Sequence, residues 1–175
     1  MNRALILILA AIVLLPLVVR PAIASEIWIF AIFGLGLNLL LGYTGLLSFG
    51  QSTFFGSAAY VAGWLLKHYA INVFLALGVG VAVGAASAAL VGYLCVQRSG
   101  LYFIMLTFAL NQLFYFVAYQ WTRVTGGEDG MPGIPRPAFL GIDFGNPIAY
   151  YVFVSVLFLV SLLVMLWIGQ HMLPP

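Results

Sequence analysis

The chain has 175 residues, of which 65% are hydrophobic and 6% charged, with a net charge of +2 and a mean hydropathy of +1.16. So few charges cannot cover the surface of a water-soluble domain of this length, so the composition specifies an integral membrane protein. It also argues against nucleic acid as a partner, because no basic cluster exists.

The apolar runs are long and lack strict alternation, which predicts helices rather than barrel strands. The expected fold is all-α, a polytopic transmembrane helical bundle of about six spans in a single membrane domain over 1–175. The segments are Ala4–Val19, Ile27–Leu41, Phe49–Leu66, Ile71–Val96, Leu101–Trp121 and Pro147–Gly169. The first has Arg3 before it and Pro21-Ala22-Ile23-Ala24 after it, as a signal peptide would, but further spans follow directly and favour a retained helix. Pro16 can bend it, because proline removes an intrahelical donor. The second span is short unless it continues through Gly42-Tyr43-Thr44-Gly45. The linker from Leu41 to Gln51 that follows is uncharged, including Leu46 and Leu47. It reads either as a break in the helices lining a wet path or as a tight interfacial hairpin.

The third span carries small residues at Ser52, Gly56, Ala59 and Gly63. The fourth is stricter: Ala76, Gly80, Gly84, Ala88 and Gly92 recur every four residues, with Gly78 and Ala85 widening the surface. Such a stripe lets another helix backbone approach closely and reads as a packing interface. Cys95, the lone cysteine, reads as a packed thiol. In the fifth span Thr107, Asn111, Tyr115 and Tyr119 share one face at four-residue spacing, with Gln112 beside it. An amide at membrane depth must be paired or wet, so this face points either to a translocation path or to interhelical hydrogen bonds. Asn38 in the second span poses the same question.

The reactive chemistry is sparse. No ionisable group is expected deep in a span, which weighs against proton coupling. His68 and His171 are isolated, so no metal site is expected, and no clustered acid, base or nucleophile suggests an enzyme. No Gly-x-x-x-x-Gly-Lys-Ser/Thr is present, so the chain is not expected to bind ATP through a P-loop. Half of the ten charges, Arg123, Glu128, Asp129, Arg136 and Asp143, fall in one turn-rich loop, Gln120–Asn146, whose acids read as a solvated face. Cations divide as Arg3 and Arg98 against Arg20, Lys67, Arg123 and Arg136, a four-to-two split that does not by itself fix the orientation.

Three stretches, taken in order, carry a resemblance. They are Gly36-Leu37-Asn38 through Gln51-Ser52-Thr53-Phe54-Phe55-Gly56, Gly100-Leu101-Tyr102 through Thr107-Phe108-Ala109, and Thr125-Gly126-Gly127 through Gly130, closed by Gly133-Ile134-Pro135-Arg136-Pro137. Together they resemble the LivM-type permease subunits of branched-chain amino acid ATP-binding-cassette importers over nearly all of 28–168. The related urea-importer permeases share the first two stretches. The resemblance implies a homologous second permease subunit, two cytoplasmic ATPases that use the ATP, and a periplasmic binding protein delivering Leu, Ile or Val across a bacterial inner membrane. It implies no cofactor on this chain. The candidates for a substrate path, Asn38, Gln51, Thr107, Asn111 and Tyr115, are read from their polar chemistry in the spans and linker and are not carried over from the family. Gln51 stands where the family commonly has His and cannot titrate.

The chain ends His171-Met172-Leu173-Pro174-Pro175, where family members continue through the loop that docks on the ATPase. The expectation is therefore a truncated permease half that inserts but does not transport alone. The competing reading is a membrane scaffold whose stripes only hold helices together.

Overall fold

The computed structural model describes residues 2–45, 48–69, 71–95, 100–138 and 143–171, and their side chains except at 2–7, 43, 44, 170 and 171. Leu46 and Leu47 of the uncharged linker, Val96 at the expected end of the fourth span and Arg98 after it, loop residues 139–142 and the terminal 172–175 lie outside the described residues. The described backbone is helical: α1 (Asn2–Val18), α2 (Pro21–Thr44), α3 (Gln51–Tyr69), α4 (Val73–Cys95), α5 (Leu101–Gln120), a short α6 (Thr122–Thr125), a 3-10 turn (Gly127–Asp129) and α7 (Pro147–His171).

Among the described residues, four helices are long and apolar enough to cross a membrane: Pro21–Gly42, Val73–Cys95, Leu101–Gln120 and Pro147–Gly169. The apolar part of α1, Ile8–Val18, is shorter. α3 falls below them in hydrophobicity because Gln51, Ser52, Thr53, Ser57, Lys67 and His68 dilute it. The second span differs most from expectation. It starts at Pro21 rather than Ile27, and so takes in Glu26, which is exposed, in its second turn. Ser25 does not break the helix because its hydroxyl bonds back to Pro21 O at 2.8 Å.

The helix ends have local causes. Asn72 accepts the Phe74 N–H at 3.0 Å and opens α4. Asn146 accepts the Ile148 N–H at 3.0 Å, with Pro147 in the first helical position of α7. Asparagine caps and first-turn proline both suit amides that have no intrahelical partner. Pro21 opens α2 in the same way.

The chain divides into two units, Met1–Leu39 with Leu140–Pro175, and Leu40–Phe139. The first contains α1, most of α2, and α7. Ala24, Trp28, Tyr151, Val154 and Phe158 are buried at its centre, with Ile8, Ala11, Ile12 and Leu15 of α1 packed against them. Trp28 and Phe158 have ring centroids 4.7 Å apart. The Trp28 Nε1–H donates to Tyr151 Oη at 3.0 Å, and the Tyr151 hydroxyl donates to Ile12 O at 2.7 Å.

The second unit contains α3, α4, α5 and the turn-rich loop. Val91, Cys95 and Phe103 are buried together, with Phe54, Leu106, Leu110 and Phe114 around them. α4 meets α3 through its small residues. A Cβ at Gly80 would lie 2.9 Å from Ala58 O, and one at Gly84 would lie 3.2 Å from Ala58 Cβ and 3.3 Å from Phe54 O. Ala76 is fully buried on the same side. Ala88 is half-buried, while a Cβ at Gly92 or Gly78 would meet nothing within 4 Å and Ala85 is exposed. Gly78 and Ala85 therefore do not widen the contact with α3: they lie two residues from Gly80 and one from Gly84, on other sides of the helix. Ser57 and Ser87 hydroxyls, 3.2 Å apart, add a polar contact to the seam.

Gly80→Ala and Gly78→Ala separate contact from helix propensity. Both replace glycine within a helix and gain about 1 kcal/mol of propensity. Only at position 80 does the added methyl meet backbone, an overpacking cost of about 1–3 kcal/mol. Titration of each purified variant from mild detergent into dodecyl sulfate should find Gly78→Ala as stable as the parent or more so, and Gly80→Ala less stable. Equal shifts would remove close approach as the reason for the glycine.

Candidate functional site

The polar groups of the second unit converge where the start of α3 meets the middle of α5. The chain enters α3 through Ser48, whose hydroxyl accepts the Gly50 N–H at 3.2 Å. Phe49 N–H then donates to Thr107 Oγ1 at 3.4 Å, and Thr107 Oγ1 donates to Ile104 O at 3.0 Å within its own helix. Phe49 and Phe108 rings meet edge to face at 5.9 Å beside this contact. One turn along α5, Asn111 Oδ1 accepts two hydroxyls from α3, Ser52 Oγ at 2.8 Å and Thr53 Oγ1 at 2.9 Å. Thr107 is 1% exposed and Thr53 5%, so much of this cluster is out of solvent. An amide oxygen has two lone pairs, and here both are taken.

The expected α5 face is thus divided. Thr107 and Asn111 meet α3. Tyr115 is 65% exposed and stacks instead on Tyr119, with ring centroids 6.2 Å apart. The Tyr119 hydroxyl donates to Glu128 Oε2 at 3.4 Å, tying the end of α5 to the loop. Spacing along one helix assigns residues to a face, but the length of that face covered by a neighbour depends on where the neighbour begins. Gln112 is exposed. Asn38 belongs to the first unit and is exposed. Gln51 opens α3 beside the cluster, and its Oε1 is buried and accepts no hydrogen bond among the described residues. A buried unpaired acceptor costs about 1–3 kcal/mol.

The partners of Asn111, Ser52 and Thr53, were not singled out as its ligands by sequence. The signal lies in the sequence: an amide at membrane depth needs partners, and the uncharged linker leads into hydroxyl-bearing residues at the start of α3. A groove of ≈ 690 Å³ also runs along α5, lined by Tyr102, Met105, Leu106 and Ala109. Its lining is largely apolar, and it includes none of Ser52, Thr53, Thr107 and Asn111. Among the described residues, no three His, Cys, Asp or Glu side chains come together as metal ligands.

The turn-rich loop has its own order. The Thr125 hydroxyl contacts both Ala118 O and, at 3.0 Å, Trp121 O, and it accepts the Gly127 N–H at 3.2 Å. Gly126 has φ +82°, and a Cβ there would lie 1.6 Å from Gly130 O, so no other residue fits that turn. The loop then lies on α3. A Cβ at Gly63 would lie 2.8 Å from Ile134 Cδ1, and Lys67 Nζ donates to Pro132 O at 3.0 Å. The glycines of this block are therefore geometric requirements of a folded loop packed on the bundle.

A family model described as branched-chain amino acid transport system / permease component matches residues 21–171. The chain belongs to this family. Two relatives carry the name high-affinity branched-chain amino acid transport system permease protein LivM. The chain is 31% identical to that of Salmonella typhimurium (strain LT2) over 124 residues, covering 71% of this chain and 29% of the relative. It is 30% identical to that of Escherichia coli (strain K12), with the same coverage. The aligned part thus spans under a third of these relatives. No solved structure matches. With its apolar helices, membership of this permease family makes the chain a multi-pass membrane protein. α1 lies before the matched residues, whereas both the Ser52–Thr53–Asn111 cluster and the turn-rich loop lie within them.

If Asn111 holds α3 to α5, then Asn111→Leu leaves the buried Thr53 hydroxyl without an acceptor and the Ser52 hydroxyl with only Phe49 O at 3.3 Å, and should destabilise the chain by about 1–3 kcal/mol. Replacing the donors too, in the triple variant Ser52→Ala, Thr53→Val and Asn111→Leu, should recover most of that loss in the same dodecyl sulfate titration. A triple variant no more stable than Asn111→Leu alone would show that the hydrogen bonds do not hold the helices.

Proposed function

We propose that this chain is a membrane-spanning permease component of an ATP-driven importer for branched-chain amino acids, resident in a bacterial inner membrane. The family match over 21–171 carries the reading, and the names of the two LivM relatives supply the substrate class. In this reading the described units form one permease domain. Transport would involve a homologous second permease subunit, two cytoplasmic ATPases that hydrolyse the ATP, and a periplasmic amino-acid-binding protein.

The chemistry around Asn111 is compatible with such a cargo. A branched-chain amino acid is a net-neutral zwitterion with an apolar side chain. A lining of hydroxyls, amides and aromatic rings offers it donors, acceptors and apolar contact without a fixed charge that would retain it. Gln51, Thr107, Asn111 and Tyr115 are the residues assigned to the path in the second unit, and Asn38 in the first. Gln51 Oε1, buried and without a partner among the described residues, is an acceptor in this set that could meet a moving donor.

One observation favours a second reading. Asn111 has its oxygen satisfied within the chain by Ser52 and Thr53, which is how a polar residue used only to hold helices together would look.

Two measurements distinguish these readings. The tagged chain, purified in mild detergent from membranes that express its natural neighbours, should bring down an ATP-binding-cassette ATPase. A scaffold would not. In a Cys95→Ala background, single cysteines at Ser52, Asn111 and Tyr115 should react with a water-soluble thiol reagent, and leucine with the assembled importer should slow labelling at 111. Reaction at 111 only with a lipid-soluble reagent would end its assignment to the path.

A further inference from the structure

Proline 16 creates a defect in α1 that can be located to one atom. In an α-helix the amide of residue 16 would donate to the carbonyl of residue 12, and proline has no amide hydrogen. The Ile12 carbonyl therefore lacks its intrahelical donor. In an aqueous helix water would supply one, but within hydrocarbon the donor has to come from protein. It comes from α7: the Tyr151 hydroxyl lies 2.7 Å from Ile12 O. That hydroxyl has one proton, which goes to Ile12, and its oxygen in turn accepts the Trp28 indole N–H of α2 at 3.0 Å. Tyr151 is 4% exposed and Trp28 7%, so the relay is shielded.

We infer that Tyr151 serves as a surrogate for the amide that Pro16 removes, and that this clasp is the device that fixes α1 on α2 and α7. The packing of α1 agrees. Ile8, Ala11, Ile12 and Leu15 lie on one side of the helix and pack into the core of the unit. Immediately beyond Pro16, Leu17 and Val18 are 78% and 84% exposed. The stripe positions α1 but is apolar, and it would tolerate sliding or rotation. The clasp favours a single register, because ahead of its last turn Ile12 is the carbonyl of α1 whose i+4 donor proline removes. Three polar atoms from three helices point in one sequence, Trp28 to Tyr151 to Ile12, and each bond polarises the next. α1 lies outside the residues that match the family, whereas Trp28 and Tyr151 lie within them. The clasp thus joins an element outside the matched fold to two within it.

The inference makes the worth of the Tyr151 hydroxyl depend on residue 16. The test is a four-member cycle in the full chain: the parent, Tyr151→Phe, Pro16→Ala, and both. Trp64, Trp121 and Trp167 are replaced by Phe throughout, and dodecyl sulfate unfolding is followed by Trp28 fluorescence. In the parent background Tyr151→Phe orphans both the Ile12 carbonyl and the Trp28 indole, and should raise the unfolded-to-folded ratio about thirtyfold. In the Pro16→Ala background the restored amide serves Ile12 and only the indole is orphaned, so the rise should be about fivefold. Equal rises in the two backgrounds would overturn the inference and leave Tyr151 an ordinary buried residue. Should Tyr151→Phe not accumulate in the membrane, the double variant becomes the readout. Recovery of its membrane level supports the clasp, and failure to recover overturns it.

Discussion

A carbonyl stripped of its amide inside an apolar layer has to find a donor in the same protein, and that constraint organises the first unit. The α7 helix presents a tyrosine rather than a phenylalanine at position 151, and α2 a tryptophan at 28, where the indole N–H completes the relay. The surrounding apolar contacts have no such directionality. In lipid they gain little from the hydrophobic effect, because the tails are as apolar as the side chains, and they rely on fit. Directional bonds are therefore what distinguish one arrangement of α1, α2 and α7 from its neighbours a turn away.

The second unit answers the same constraint with different materials. α3 is the most polar of its long helices, and its polar groups are used at two seams. Ser57 meets Ser87 on α4, within a contact made close by Gly80 and Gly84. Ser52 and Thr53 meet Asn111 on α5. α3 thus depends on its neighbours more than they depend on it. Its far end is covered by the loop, through Ile134 against Gly63 and Pro132 against Lys67. A helix too polar to span lipid alone is supported on both sides and at its end by protein.

Much of this fold was legible in the sequence, because hydropathy governs helix existence in membranes more strongly than any local preference. The boundaries were harder. Ser25 and Glu26 interrupted the apolar run and made α2 look short, although a serine that bonds its own backbone is not exposed polarity. The four-residue stripe on α4 located a face but not its limit. The close approach reaches Gly80 and Gly84, while Gly92 has open space beside it. On α5 the periodicity grouped Tyr115 with Asn111, and packing separates them, since α3 begins beside 107 and 111 rather than beside 115. The relay through Tyr151 was illegible for a different reason. Pro16 announced a vacant carbonyl, but the residue that fills it is 139 positions away along the chain, and no local pattern carries that distance.

The proton inventory around Asn111 gives the cluster a direction. The Thr53 hydroxyl hydrogen goes to the Asn111 amide oxygen, and the Ser52 hydrogen is shared between that oxygen at 2.8 Å and Phe49 O at 3.3 Å. Each hydroxyl therefore has lone pairs but no hydrogen left for anything else, and Asn111 keeps its two amide hydrogens. The α3 side of the seam is consequently electron-rich and the α5 side electron-poor. The two helices present a small fixed dipole built entirely from neutral side chains. Its sense would reverse if the amide turned over, since the oxygen would then leave the hydroxyls and the nitrogen would take its place. A single side-chain rotation of 180° thus exchanges donors for acceptors along the seam without moving a helix.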